Sequence, residues 1–152
     1  MPANFNPIYA LTPNVGSVKI GTTSALVRSD GSAANAIGTD QYLAFTAGAN
    51  GSFVQRVRFQ PVASAAAVNS VATTLRVFLS TINTGTPTSS NTNLLAELAV
   101  PIISTSNSTN SANYYEIPLN IAIPADRYIL VSQHIAQTTN QQWQAIVFGG
   151  DY

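Results

Sequence analysis

The sequence predicts an all-β domain, two antiparallel sheets packed face to face, and three observations carry that prediction. Apolar residues recur with a period of two, the pattern of strands that bury one face. Clusters of Gly, Asn, Ser, Thr and Pro interrupt the apolar runs at the spacing of turns in a sandwich. The length, 152 residues, suits one core, since a chain of that size buries roughly 70% of its unfolded surface on folding.

Residues 1–14 read as an extended N-terminal arm. Pro7 and Pro13 in "NFNPIYALTP" exclude regular pairing in a sheet centre, because proline lacks the N–H a ladder needs. Phe5, Ile8, Tyr9 and Leu11 of that arm must then be buried against their own domain or against a neighbour. The sandwich follows over residues 15–152. Its strands are expected at "GSVKIG", "QYLAFTA", "SFVQRVRF", "TLRVFLS", "LLAELAVPI", "YYEIPLNI", "RYILVSQHI" and "WQAIVF", about eight in all. In "SFVQRVRF" the alternation sets Phe53, Val57 and Phe59 against Arg56 and Arg58; in "TLRVFLS" it sets Leu75, Val77 and Leu79 against Arg76. Phe45, Phe53, Phe59 and Trp143 fall on the core phase. "ASAAAVNSVATT", Ala63 to Thr74, has no capping residue and is rich in Val and Thr, so it is expected to be a loop leading into a strand rather than a helix. "STINTGTPTSSNTN" and "STSNSTNSAN" hold almost no apolar anchor and are expected as exposed loops, places where a binding surface could be displayed.

Composition narrows the chemistry. Charged residues make up 8% of the chain, six Lys and Arg against six Asp and Glu, so no basic surplus exists to attract nucleic acid or an anionic membrane. Without cysteine, disulfides and thiolate sites are excluded. No apolar run reaches membrane-spanning length, and "MPANFNPIYALTP" lacks the pattern of a signal peptide. His134 is the single histidine and no G-x-S-x-G elbow accompanies it, which leaves a hydrolase triad without its parts. It is expected at a strand end, exposed or bonded to a backbone carbonyl. Asp30, Asp40 and Asp126 sit in turn sequences where the side chain bonds local backbone. Neither a facing carboxylate pair nor a calcium-type loop stands out. No enzymatic activity, cofactor or metal is expected.

The arginines say more. Arg56, Arg58 and Arg76 are expected on outward strand faces, with Glu97 and Glu116 at comparable positions in later strands. Planar guanidinium groups pair bidentately with carboxylates, so these residues form either a cross-strand ladder within the domain or the register of a homo-oligomeric interface. The closing "AIVFGGDY" reads as a last strand, a glycine pair that permits close approach, and Asp151 and Tyr152. Such a segment stays ordered by docking, on its own barrel end or on a partner.

Taken together, "NFNPIYALTPNVG", "IGTDQYLAFTAGANGSFVQRVRFQPV", "TTLRVFL", "EIPLNIAIPADRYILVS" and "GGDY" resemble a family of small tailed-bacteriophage proteins encoded among virion genes. The resemblance implies a virion structural component, and in size and sandwich fold it is similar to capsid decoration, or cement, proteins, commonly trimers outside the head where capsid subunits meet. On that basis a β-sandwich of jelly-roll type is expected, made in the host cytoplasm and bound as a homotrimer to the major capsid protein on the capsid exterior. The resemblance supplies no functional residues; from their pattern in the sequence, Phe5, Ile8, Tyr9, Leu11, Asp151 and Tyr152 are the expected contacts, with Arg56, Arg58 and Arg76 setting register. The alternative is a carbohydrate- or receptor-binding fibre domain, in which Tyr114 and Tyr115, just after "NSTNSAN", would stack on sugar rings.

Overall fold

The computed structural model describes residues 10–21, 27–66, 68–108 and 114–152. In chain order the strands are β1 (Thr12–Ile20), β2 (Tyr42–Thr46), β3 (Ser52–Ala63), β4 (Val68–Asn69), β5 (Thr73–Ser80), β6 (Thr92–Val100), β7 (Ser104–Thr105), β8 (Tyr115–Ile123), β9 (Tyr128–Gln133) and β10 (Gln141–Asp151). Two four-stranded sheets result, ordered β1-β10-β3-β8 and β2-β9-β5-β6, and β4 with β7 forms a two-residue ribbon. Each of the eight runs read from the sequence overlaps one of the eight longer strands, several of which extend beyond it.

The pairing explains the order. Setting the small ribbon aside, the first strand pairs with the last, the second with the second last (β2 with β9), the third with the third last (β3 with β8), and the middle two with each other (β5 with β6), all antiparallel. A long two-stranded ribbon has been rolled up, and the seams β10–β3 and β9–β5 complete the two sheets. That is the jelly-roll arrangement.

Alternate residues of each long strand meet in the middle. Trp143, Ala145 and Val147 of β10 are buried there with Val57 and Phe59 of β3, Leu75 and Val77 of β5, and Ile129 and Val131 of β9. At one edge β1 crosses so close to β2 that a Cβ on Gly16 would lie 1.8 Å from the carbonyl oxygen of Ala44. Glycine in mid-strand is therefore a requirement of sheet closure at this point.

Phe53 departs from expectation. The register of β3 slips against both neighbours at Gln55, between Phe148 and Gly149 of β10 and between Val54 and Arg56 facing β8. One extra residue reverses the alternation, so Val54 rather than Phe53 joins Val57 and Phe59 in the core. The β1 strand begins at Thr12, inside the segment expected to be an arm. Pro13 is tolerated because β1 is an edge strand, paired only with β10. Phe5, Ile8 and Tyr9 lie outside the described residues. Ala63 ends β3 and the following residues bend into β4, with no helix among the described residues. Ser104 and Thr105, expected in a loop, pair with Asn69 and Val68.

The outer face of the second sheet is roofed by residues 27–41. Val27 packs with Phe78 and Leu130, joined by Ala33, Ile37, Leu43 and Tyr128, in a second small core. Hydrogen bonds pin the roof: Ala33 N–H donates to Pro87 O at 3.2 Å, Ile37 N–H to Gly85 O at 2.8 Å, and the buried Gln41 side chain to Gly31 O at 2.8 Å. Asp40 accepts from the backbone and side chain of Asn35, as its turn context foretells. Among the described residues no comparable roof covers the first sheet.

Candidate interaction face

On that uncovered face, β10 presents Phe148 and Ile146, β3 presents Arg56 and Arg58, and β8 presents Glu116 directly opposite Arg58. One carboxylate oxygen of Glu116 accepts from Arg56 Nε at 3.2 Å and from Arg58 Nε at 2.9 Å, with Arg58 Nη2 at 2.8 Å. The Arg58 hydrogen bond, helped by the charges of both arginines, holds the Glu116 carboxyl below its usual range. Each guanidinium also lies over a ring, Arg56 at 4.3 Å from the centroid of Phe148 and Arg58 at 4.5 Å from that of Tyr114. Arg58 further reaches Phe148 at 5.4 Å. Stacked in this way, two flexible side chains are held flat on the sheet.

The face continues across the edge strand. Val15, opposite Phe148 in β1, is 59% exposed and Leu11 81%. Together with Phe53, Phe148 and the side-chain-free backbone of Gly149 and Gly150 they line an open apolar groove of about 480 Å³. Lys19, also outward on β1, adds a third cation to a face whose one carboxylate is Glu116. On a chain with no net charge, this face is therefore positive and the remainder negative.

Arg76 has a different fate from the one its strand position suggests. It does not look out from an open face, because the roof lies on it and leaves it 9% exposed. Its Nε donates to Glu97 at 3.0 Å, and its Nη1 to Val27 O at 2.6 Å and to His134 Nδ1 at 3.2 Å. His134 follows β9, as expected of a strand-end residue, with its backbone N–H bonded to Thr74 O at 2.9 Å. Its ring is partly exposed, and at Nδ1 it meets a guanidinium rather than a carbonyl.

The closing segment docks on its own domain. The β10 strand runs to Asp151 between β1 and β3. The Asp151 carboxylate accepts from Asn14 Nδ2 at 2.9 and 3.1 Å and from the Ser52 hydroxyl, whose oxygen in turn accepts from Gly48 N–H at 2.9 Å. Those bonds, that from Asn14 foremost, hold its carboxyl below the usual range. Asn14 also donates to Thr46 O at 3.2 Å, so the network ties the two sheets together at one end. Tyr152 N–H donates to Gly51 O at 3.2 Å, and Leu11 N–H to Asp151 O at 2.7 Å.

Of the two tyrosines considered for sugar stacking, Tyr114 is 56% exposed with Arg58 on its ring. Tyr115 sits edge-on to the buried Trp143, ring centroids 6.0 Å apart, and belongs to the core. Phe148, the ring that both arginines share, is absent from the sequence-based candidates. The signal for it is parity: Trp143, Ala145 and Val147 take the core phase of β10, which leaves Phe148 on the outside. Among the described residues no three His, Asp or Glu side chains gather as a metal site, and no helix is long and apolar enough to cross a membrane.

No protein-family model matches the chain, and no curated protein does. Among solved structures it is similar to the infectious bursal disease virus Gt strain structure, with 11% identity, a TM-score of 0.31 and coverage of 97% of this chain and 34% of that one. The VP2 subviral particle of the same virus matches with 13% identity and a TM-score of 0.31 over 99% of this chain and 37% of that one. The Gx strain structure matches with 13% identity and a TM-score of 0.30 over 98% and 35%. The chain thus spans about a third of the length of these structures, and a likeness of this degree decides nothing about activity or partners.

Proposed function

We propose that the chain is a virion structural protein of the decoration, or cement, kind. It associates as a homotrimer on the exterior of an assembled capsid, where it bridges joints between subunits of the major capsid protein. The observation that supports this reading is the outer face of the first sheet, roofed by none of the described residues, where Arg56 and Arg58 are held flat on Phe148 and Tyr114 beside exposed Val15 and Leu11. Arginine and aromatic side chains are the groups that anchor protein interfaces. Their stacking in the free subunit lowers the ordering entropy that association would otherwise cost. A protein that binds only the assembled lattice shifts the equilibrium toward assembly by mass action, so the mechanism needs no bond-making step.

The test is the copy number in purified virions, measured by mass spectrometry against the major capsid protein, for the wild type and an Arg56→Ala/Arg58→Ala variant. A count comparable with the capsid protein, falling in the variant, supports the proposal. A few copies per particle would assign the chain to a fibre or tail, and absence from the particle would remove it from the virion.

A further inference from the structure

A second candidate site lies on the opposite side of the sandwich, where the roof over the second sheet meets the end of β9. Arg28, Ser32, Ala33, Ala34 and His134 line a cleft of about 460 Å³ there. We propose that this cleft binds a carboxylate carried on a small apolar body.

The histidine is set up as a donor. A guanidinium can only donate, so the 3.2 Å contact between Arg76 Nη1 and His134 Nδ1 makes Nδ1 the acceptor. A ring that accepts at Nδ1 carries its proton on Nε2, its remaining donor, and the residue lines the cleft. Arg76 cannot swing away, being buried and bonded on its other sides to Glu97 and Val27 O. A buried cation thus fixes both the orientation and the tautomer of an imidazole that borders the cleft.

Arg28 supplies the charge. Its backbone is held in a tight turn, Arg28 N–H to Ser32 O and Gly31 N–H to Arg28 O, both at 3.1 Å. Among the described residues its guanidinium makes no hydrogen bond and no ion pair within 4 Å, and its charge acts at longer range on Asp30. The nearby carboxylate, Asp30, makes its hydrogen bonds with Ser32: it accepts from Ser32 N–H at 2.9 Å and from the Ser32 hydroxyl at 2.6 Å. Ser32 has therefore spent its hydroxyl proton, and the donors at the cleft are the Arg28 fork and His134 Nε2–H. Two donors of this kind match the two oxygens of a carboxylate. With Asp30 close by, one arginine does not offset the double charge of a phosphate. The Ala33 and Ala34 methyl groups favour an apolar body behind the anion.

Such a carboxylate could be a free small acid or a side chain of another protein, and one experiment separates the two. The full chain, labelled with ¹⁵N at histidine and arginine, is titrated by NMR with benzoate and with N-acetylglutamic acid α-amide, with benzamide as the neutral control. Saturable shifts at His134 Nε2 and Arg28 Nε are expected with at least one acid and not with benzamide. Arg28→Ala is expected to weaken binding roughly tenfold or more, while Arg127→Ala, in the turn between β8 and β9, leaves it unchanged. Tighter binding of benzoate assigns the site to free acids, and tighter binding of the glutamate analogue assigns it to a protein carboxylate. The proposal is overturned if neither acid gives a saturable shift, if benzamide binds equally well, or if Arg28→Ala binds as the wild type does. Arg28→Gln, which keeps the length of the side chain, repeats the test should the alanine variant fold poorly.

Discussion

The two sheets carry the same kind of residue on their outer faces and treat it in opposite ways. Arg58 on β3 stands on an open sheet, stacked on Tyr114 and paired with a half-exposed Glu116. Arg76 on β5 pairs with Glu97 by the same cross-strand logic but lies under residues 27–41, with a carbonyl and a histidine as further partners. Among the described residues the chain folds over one outer face and leaves the other open. A polar group under the roof stabilises only when all its bonds are made, whereas one on the open face remains solvated and free to change partners. On the proposed function stability and association are separated in space, and substitutions can test that separation face by face.

The largest effect is expected from the aromatic pair. Phe78→Ala removes a fully buried ring from the small core beneath the roof and should cost about 3–5 kcal/mol. Phe148→Ala removes a ring of equal size from the open face and should cost about 1 kcal/mol or less while weakening self-association. Urea denaturation of the two variants measures the gap. Equal losses would mean that the first sheet is covered in solution as well.

The arginine pair should follow the same order. Arg76→Ala leaves Val27 O and His134 Nδ1 without their donor under the roof and should destabilise by about 3 kcal/mol. Arg56→Ala should leave the melting temperature within about 2 °C of the wild type. A calorimetric scan in which both variants melt together would break the comparison at its central residue.

How far these differences were legible in the sequence depends on the kind of information each needed. Period-two patterning located all eight long strands, because alternation is a local property that burial of one face imposes. Parity also placed Phe59 and Trp143 correctly. It failed at Phe53, since a single unpaired residue, Gln55, reverses the phase and leaves no compositional mark. It failed at Arg76 for a different reason: "TLRVFL" and "VQRVRF" look alike, and the roof comes from residues far away in the chain, 27–41. The expectation for Asp151 and Tyr152 allowed a partner or the domain itself, and only the fold could bring Asn14 and Ser52 to that carboxylate.

The Asp151 network supplies a third test, at an end of the sandwich where hydrogen bonds from Asn14 join the two sheets. Its carboxyl titrates below the ordinary value in the folded chain, so the stabilisation it contributes is present above the unfolded value, about 3.9. That stabilisation is lost as pH falls through the lower folded value. Asp151→Asn should therefore flatten the fall in stability on acidification below about pH 4, with a lower melting temperature at neutral pH. Glu116 is displaced in the same direction, but it sits on the open face, so Glu116→Gln should change the acid limb less. If Glu116→Gln has the larger effect, the open face contributes more to folding than its exposure implies.

The smallest expected effect on folding is also the most direct test of what the open face is for. Val15 lies 59% exposed beside Phe148 on the edge strand and buries little of itself in the isolated domain. Val15→Ser should shift stability by about 0.5 kcal/mol or less, as surface substitutions do. An apolar side chain left in water by folding can still gain on association, where each buried methylene contributes about 0.8 kcal/mol. Sedimentation velocity of wild type and Val15→Ser at matched concentrations separates the two roles. A lower association constant with an unchanged melting temperature would place Val15 inside the interface. Unchanged association would confine the contact to the arginine and aromatic patch on β3, β8 and β10, away from the edge strand.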